Sequence, residues 1–241
     1  MLKASAQTDV GKTRSVNQDR VYVSVEAVGP LANLFIVADG MGGHKGGEIA
    51  SQVAIEHFCA YVRDCDYTPD DEILDLMTSA IRVANIGVLS RATGDDELSG
   101  MGTTFTACTV FGGKYYIVHI GDSRAYKITA EVIVQLTHDH SFVNEMVRAG
   151  QLTQDEARDH PKRNVLTRVL GINEEMSADG YVFEAEPGSV ILLCSDGLFN
   201  MIQEEEIKHI VNTSDEPALP LVETANEKGG TDNISVIVIN V

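Results

Sequence analysis

Several stretches of this chain are almost continuously apolar and rich in β-branched residues, and they constrain the fold more than any other feature. The clearest are Asn33 to Asp39, Ser189 to Asp196 and Ile234 to Val241. A strand that exposes one face to water alternates polar and apolar residues, whereas runs of this kind are covered on both faces. Each such strand is therefore expected to lie in a sheet with protein packed above and below it.

Shorter strand-like runs share the enrichment in β-branched and aromatic residues. They cover residues 20–28, 103–111, 114–122, 125–129 and 132–137. Residues 111–114 read Phe-Gly-Gly-Lys, which is typical of a two-residue hairpin turn. Consecutive strands with such short connections pair antiparallel.

Helical periodicity fills the segments between the strands. Two long amphipathic patterns lie between Glu48 and Arg91, and Thr68-Pro69-Asp70-Asp71 is a typical start for the second. The shorter helical patterns cover residues 141–148, which end before Gly150, residues 153–161, which begin with a capping box, and residues 204–211 and 217–228. We therefore predict an α+β fold in one domain, residues 1–241, with sheets in the middle, helices outside and residues 139–171 as a small helical excursion.

Composition narrows the class of function. The chain has 18 basic and 36 acidic residues and a net charge of −18, and such a surface repels nucleic acid and anionic membranes. The four cysteines form no Cys-x-x-Cys pair and no zinc-ligand spacing with histidine, so a reducing compartment fits best. The first residues lack an apolar leader, and no run of about 18 apolar residues occurs. We expect a cytoplasmic protein that binds neither nucleic acid nor membrane.

Five aspartates stand at the ends of the predicted strands. Asp39, Asp122 and Asp196 end apolar runs, whereas Asp19 and Asp232 stand just before runs. A single Asp-Gly pair is a common turn, but strands that are distant in sequence can bring their ends to one edge of a sheet. Carboxylates gathered there repel one another, by about 4 kcal/mol for a pair about 4 Å apart at an effective dielectric of about 20. A cluster of this kind requires protons or cations to neutralise it.

The donor chemistry selects the cation. Carboxylate oxygens prefer hard ions, Mg²⁺, Mn²⁺ or Ca²⁺, over zinc, and the EF-hand calcium loop pattern is absent from the sequence. Bound divalent ions reverse the local field, so that a strongly acidic protein can bind a phosphoryl group. Gly40, Gly42 and Gly43 would let backbone approach the metal or ligand closely, whereas Gly46 and Gly47 serve either helix entry or plain loop flexibility.

Six short motifs occur in one order along most of the chain, and together they resemble the metal-dependent protein serine/threonine phosphatases of the type 2C family in its compact bacterial form. Each motif alone is weakly specific, but six in order are strongly specific. They are RSVNQD (Arg14 to Asp19), VADGMGGH (Val37 to His44), MGTT (Met101 to Thr104), HIGDSR (His119 to Arg124), SDGL (Ser195 to Leu198) and GGTDN (Gly229 to Asn233).

The resemblance implies a four-layer αββα sandwich, two antiparallel sheets flanked by helices, with a metal centre at one end. By matching position, Asp39 would bridge two ions of Mn²⁺ or Mg²⁺, and the Gly40 carbonyl would bind the second ion. Asp196 and Asp232 would complete the first site. Asp122, together with Asp196, would offer a third and weaker site, so two or three ions are expected per chain.

The same resemblance implies a one-step reaction in which a metal-bridging hydroxide attacks phosphorus in line and the serine or threonine alkoxide leaves. Arg14 would hold the substrate phosphate through its guanidinium fork, although a lone arginine is more often a surface residue. Asp19 and Asn233 would support the metal site from behind. The animal-type pattern has histidine two residues after the metal aspartate, where this chain has Met41; His44 or water would then protonate the leaving group.

Residues 139–171 match a mobile helical flap beside the active site of the family, and we expect them to contact the substrate protein and influence selectivity. The run Thr137-His138-Asp139-His140 contains residue types that bind metals, but it lies at the start of that flap. A structural role is therefore favoured over metal binding. The resemblance further implies phosphorylated proteins as substrates, a partner serine/threonine kinase and a monomer.

Two other functions are compatible with parts of this pattern. A non-catalytic domain with the same fold would act as a sensor or scaffold, but such a relative is expected to lose at least one of Asp39, Asp196, Asp232 and Arg14. A serine hydrolase would need a nucleophile in a Gly-x-Ser-x-Gly context, and neither Ser123 nor Ser195 has one.

Overall fold

A computed structural model describes residues 2–43, 45–66 and 72–241, and these residues form two antiparallel sheets. The strands, in chain order, are β1 (Lys3–Asp9), β2 (Asp19–Ser24), β3 (Leu34–Met41), β4 (Gly102–Thr103), β5 (Phe105–Phe111), β6 (Lys114–Ile120), β7 (Arg124–Ile128), β8 (Ile133–Gln135), β9 (Asp179–Glu184), β10 (Val190–Cys194) and β11 (Ile234–Asn240). One sheet has the order β1-β11-β10-β7-β8, and the other has the order β2-β3-β5-β6-β9 with β4 paired to β3. The predicted antiparallel pairing is confirmed.

Most helices occupy the segments where helical periodicity was found, but the short helix that begins at Asp196 was not predicted. They are α1 (Gly46–Arg63), α2 (Ile73–Thr93), α3 (Phe142–Arg148), α4 (Gln154–Arg158), α5 (Asp196–Phe199), α6 (Glu204–Thr213) and α7 (Ala218–Glu227), with a 3₁₀ turn at Asp96–Leu98. Two predicted helix starts are confirmed, because Ser141 caps α3 and Thr153 forms a capping box at α4. The start predicted at residues 68–71 lies outside the described residues.

Three apolar clusters separate the layers and explain the continuous apolar strands. In β3, Phe35 and Val37 pack between the two sheets, whereas Leu34, Ile36 and Ala38 pack toward α1 and α2. Strands β10 and β11 divide in the same way, with alternate residues facing the other sheet or the helices α5 to α7. Since successive side chains point to opposite faces, both faces of these strands are buried. The α+β, four-layer arrangement expected from the sequence is confirmed.

Strands β1 and β9 were missed by the sequence prediction. Each lies at an edge of its sheet, β1 beside β11 and β9 beside β6. Edge strands are half-exposed and carry polar residues; β9 alternates between partly buried and exposed positions, and β1 reads Lys-Ala-Ser-Ala-Gln-Thr-Asp. Without an apolar run, neither segment carries the signal that identified the inner strands.

Helix α2 is long and apolar enough, by length and composition, to cross a membrane. Half of its apolar stretch is buried inside the structure, and residues such as Met77, Ile81 and Val88 pack into the cluster beneath α1. A core helix of a globular domain passes the same test of length and composition.

Candidate active site

The end of β3 carries Asp39, and neighbouring backbone holds it in place. Strand pairing sets Asp19 of β2 directly opposite Asp39. The Asp39 amide donates to Thr104 Oγ1 at 2.9 Å, and its carbonyl accepts from the Thr104 amide at 2.8 Å and from Thr103 Oγ1 at 2.9 Å. The Met-Gly-Thr-Thr motif therefore clamps the aspartate-bearing strand end, a role that sequence reasoning did not assign to it.

The glycines after Asp39 allow two backbone segments to touch. A Cβ on Gly40 would lie 1.9 Å from the Gly47 carbonyl oxygen, and a Cβ on Gly47 would lie 2.6 Å from the Gly40 carbonyl oxygen. Gly42 has a φ of 144°, which other residues rarely adopt. A Cβ on Gly43, by contrast, would meet nothing within 4 Å. Gly47 is thus required for close packing of α1 on the strand end rather than for loop flexibility.

Asp19 joins the two sheets behind this edge. Ser195, the last residue before α5, donates its hydroxyl to Asp19 Oδ2 at 2.7 Å and accepts from the Ser235 amide at 3.0 Å. Asp19 and Ser195 are both buried. The Ser195 hydroxyl is therefore committed to a carboxylate, and the Ser123 hydroxyl pairs with Thr104 Oγ1 at 2.7 Å, which is not the arrangement of a nucleophile beside a base.

The loop that carries Arg14 is bound to the loop that carries Asp232. Asn233 accepts from the Gln18 amide at 2.8 Å and donates to the carbonyls of Val10 and Val16 at 2.9 and 3.0 Å. Arg14 Nη2 lies 2.8 Å from Asp232 Oδ2 in an exposed ion pair. Arg14 thus points into the acidic region, where its partner in this structure is a carboxylate.

The carboxylates share one electrostatic environment. Burial, and then the charges of Asp19, Asp196, Asp122 and Asp232, raise the pKa of Asp39 well above its usual range. Burial, and then the charges of Asp122, Asp232 and Asp19, do the same to the pKa of Asp196. Burial raises the pKa of Asp19 to about 6 and that of Asp122 to about 7, with neighbouring acids adding to the shift. The five aspartates predicted from the strand ends are therefore brought together.

Two observations bear on whether this region fits the metal ions that the resemblance implies. Buried oxygens of two carboxylates, Asp19 Oδ1 and Asp196 Oδ1, have no hydrogen-bond partner, and buried polar atoms are almost always paired. Among residues 2–43, 45–66 and 72–241, no three acidic, histidine or cysteine side chains are already arranged to hold one metal ion. The donors are all oxygens, which fits hard divalent cations.

The remaining predicted site residues are placed as follows. Asp122 lies in the turn between β6 and β7, and Gly121 beside it has a φ of 108°. His44 lies outside the described residues, so its role as proton donor stays a prediction. Residues 139–171 leave and return close to this edge: the Phe142 amide donates to Val165, and Thr103 pairs with Leu170.

Comparison with known proteins adds independent information on the family. A model of the family protein phosphatase 2C matches residues 8–233. The protein phosphatase PhpP of Streptococcus pneumoniae is 39% identical over 244 residues, 99% of this chain and 97% of PhpP. A solved serine/threonine phosphatase of S. agalactiae has a TM-score of 0.93 at 36% identity, with all of both chains covered. The catalytic domain of the phosphatase PstP, solved with two manganese ions, has a TM-score of 0.86 at 34% identity and covers 99% of this chain and 97% of its own.

The comparisons and the geometry agree on the class of enzyme. The similarity covers the whole αββα sandwich, and the aspartates meet at one edge of it. The family depends on Mn²⁺ or Mg²⁺, which fits an edge whose donors are carboxylate oxygens. This chain therefore belongs to the protein phosphatase 2C family, the metal-dependent protein serine/threonine phosphatases.

Proposed function

We propose that this enzyme hydrolyses phosphoserine and phosphothreonine in proteins with two or three Mn²⁺ or Mg²⁺ ions held by Asp39, Asp122, Asp196, Asp232 and the Gly40 carbonyl. The observation that carries the proposal is the set of mutually perturbed carboxylates at one edge, two of which have a buried oxygen without a partner. When bound, the cations supply a water-derived nucleophile near neutral pH and neutralise the phosphoryl oxygens.

The chain's own residues orient the substrate and hold the ligands. The hydrogen bond and the ion pair with Asp232 raise the pKa of Arg14, and the charges of Asp196 and Asp39 add to this rise, so Arg14 lies at the mouth of the acidic region. A guanidinium has five donors in a planar fork and can bind two phosphate oxygens. In this proposal Arg14 binds the phosphate, while Asp19 and Asn233 hold the two aspartate-bearing loops at the correct separation.

Protonation of the leaving alkoxide is assigned to His44 or to water. His44 belongs to the glycine-rich segment after Asp39, and a proton donor accelerates such a step by roughly 10²–10⁴-fold. His44→Ala is expected to lower kcat more for a phosphopeptide, whose alkoxide is a poor leaving group, than for para-nitrophenyl phosphate, whose phenolate leaves readily. An equal fall for both substrates would assign the proton to water.

The test of the whole proposal is phosphopeptide and para-nitrophenyl phosphate hydrolysis with Mn²⁺. Activity is expected to vanish with a chelator and in Asp39→Asn. It is expected to persist in the control Asp215→Asn, because Asp215 is exposed and lies between α6 and α7. Binding of a phosphopeptide without turnover would instead support a sensor or scaffold. Activity that survives the chelator and vanishes in Ser195→Ala would support a serine hydrolase.

The cellular setting is part of the proposal. Four free cysteines, three of them buried, support a reducing compartment such as the cytoplasm. We propose that the enzyme acts there as a monomer on proteins phosphorylated by a partner kinase, with residues 139–171 as a flap that contacts the substrate. Sedimentation at micromolar concentration tests the monomer, and exchange of the flap with that of a relative, followed by comparison of phosphopeptide preferences, tests the flap.

A further inference from the structure

His140 stands at the start of segment 139–171 and makes hydrogen bonds in three directions. Its amide donates to the Gly121 carbonyl at 2.7 Å, and its ring Nδ1 lies 3.2 Å from the Gly121 amide. Its carbonyl accepts from Thr167, at the returning end of the segment, at 2.8 Å. Ring Nε2 lies 3.2 Å from Asp179 Oδ2. The side chain is buried. Through these contacts His140, at the start of the segment, is bound to the segment's returning end and to the turn before Asp122.

The hydrogen-bond partners determine the tautomer of the ring. Because the Gly121 amide can only donate, Nδ1 is an acceptor without a proton, and the proton on Nε2 is donated to Asp179. Burial lowers the pKa of His140, which keeps the ring in this neutral form. Each ring nitrogen therefore has one defined function, and the two functions can be separated by mutation.

Asp179 secures the other end of the segment. Its Oδ1 accepts from Arg168 Nη1 at 2.9 Å, while its Oδ2 accepts from His140 and from Tyr181. The carboxylate on edge strand β9 thus binds the first and the last part of the segment together. If His140 only filled space in the core, its partner Asp179 would not also need to bind Arg168 at the other end of the segment.

The turn that His140 holds is tight. Gly121 has a φ of 108°, and a Cβ there would lie 2.5 Å from Cβ of Thr104, the residue that holds Asp39. Gly121 is bound by His140 through both its amide and its carbonyl. A displacement of His140 would therefore move the peptide that precedes Asp122.

We propose that His140 is a positioning residue that couples the base of segment 139–171 to the turn carrying Asp122 through its ring Nδ1, so that the metal affinity of Asp122 depends on that contact. The inference rests on the proposed role of Asp122 as a metal ligand. It assigns His140, the last residue of the Thr-His-Asp-His run, a function that is distinct from metal binding.

The experiment separates the two ring nitrogens in the full chain. In His140→Asn the amide oxygen replaces Nδ1 as acceptor for Gly121, whereas in His140→Gln the longer side chain reaches Asp179 but not Gly121; His140→Ala removes both contacts. His138→Ala is the matched control, because His138 is exposed and hydrogen bonds to His119 through its carbonyl. Amide exchange of Gly121 and Asp122 is measured in chelator, and the Mn²⁺ concentration for half-maximal para-nitrophenyl phosphate hydrolysis is measured separately.

The expected result is exchange at Gly121 about fivefold faster in His140→Ala and His140→Gln, the effect of one lost hydrogen bond, with His140→Asn and His138→Ala unchanged. The Mn²⁺ requirement is expected to rise in the same two variants. Equal exchange in His140→Asn and His140→Gln would overturn the proposal, as would an unchanged Mn²⁺ requirement in His140→Gln while Asp122→Asn raises it. An unchanged Mn²⁺ requirement in Asp122→Asn would instead overturn the role of Asp122 itself.

Discussion

Ser195→Ala tests the link between the two sheets behind the edge that carries the aspartates. The substitution removes the hydroxyl that donates to Asp19 Oδ2 at 2.7 Å and accepts from the Ser235 amide at 3.0 Å. Asp19 Oδ1 already lacks a partner. The substitution would therefore also remove the Ser195 hydrogen bond from the other oxygen, Oδ2, of the same carboxylate. Both groups are buried, and water does not readily replace the lost partner.

The magnitude follows from the two contacts. A hydrogen bond to a charged group contributes about 1.5–3 kcal/mol, and a buried amide left unpaired costs about 1–3 kcal/mol. Protonation limits the first contribution, because a carboxyl whose pKa is about 6 takes up a proton at pH 7 at a cost of about 1.4 kcal/mol. The free energy of unfolding is therefore expected to fall by about 3 kcal/mol.

Urea unfolding in the presence of chelator measures this loss. The midpoint is expected to fall by about 1 M with an unchanged slope. Ser5→Ala is the matched control, because Ser5 Oγ is buried without a hydrogen-bond partner, and its removal is expected to leave stability unchanged or slightly raised. A loss below about 1 kcal/mol for Ser195→Ala, or an equal loss in both variants, would refute the reasoning.

Three further predictions follow from the geometry of the site. Gly47→Ala places a Cβ 2.6 Å from the Gly40 carbonyl oxygen and is expected to destabilise by about 2 kcal/mol, whereas Gly94→Ala, with its nearest neighbour at 3.7 Å, is expected to be neutral in thermal unfolding. Although burial opposes it, hydrogen bonds from His140, Arg168 and Tyr181 lower the pKa of Asp179 to about 2. Its stabilising effect is therefore full above the unfolded-state pKa of about 4 and is lost as the pH falls toward 2, so the difference in urea midpoint between wild type and Asp179→Asn should shrink over that range. Asp39→Asn removes one of several repelling charges, so it should raise the stability of the chelated protein by about 1 kcal/mol while abolishing both hydrolysis and the stabilisation by added Mn²⁺; lower stability in chelator would contradict this.

The inner architecture could be predicted because it depends on local patterns. The apolar runs that became β3, β10 and β11 are buried on both faces, and the Gly-Gly turn at residues 111–114 forms the expected hairpin, in which Phe111 pairs with Lys114. The edge strands β1 and β9 could not be found in this way, since neither segment has a continuous apolar run.

The sequence indicates which aspartates lie at the candidate site, but not the contacts that hold them there. Aspartates at strand ends carry a signal in the sequence, because a charged residue directly after an apolar run is unusual away from turns. The partners of Ser195 and the pairing of Arg14 with Asp232 carry no such signal. In both cases the two residues are more than 170 positions apart along the chain, and nothing local relates them.

The sequence by itself determined which residues are buried strands and that five carboxylates stand at their ends, because hydrophobic periodicity and residue chemistry are local properties. Only the tertiary structure decided that those carboxylates share one electrostatic environment, that Asp19 is held by Ser195 and that His140 contacts both Gly121 and Asp179. Strand order and the packing of one sheet on the other bring these groups together. Distances between residues remote in sequence arise from that packing and from the closing of long loops, which no short segment of the chain encodes.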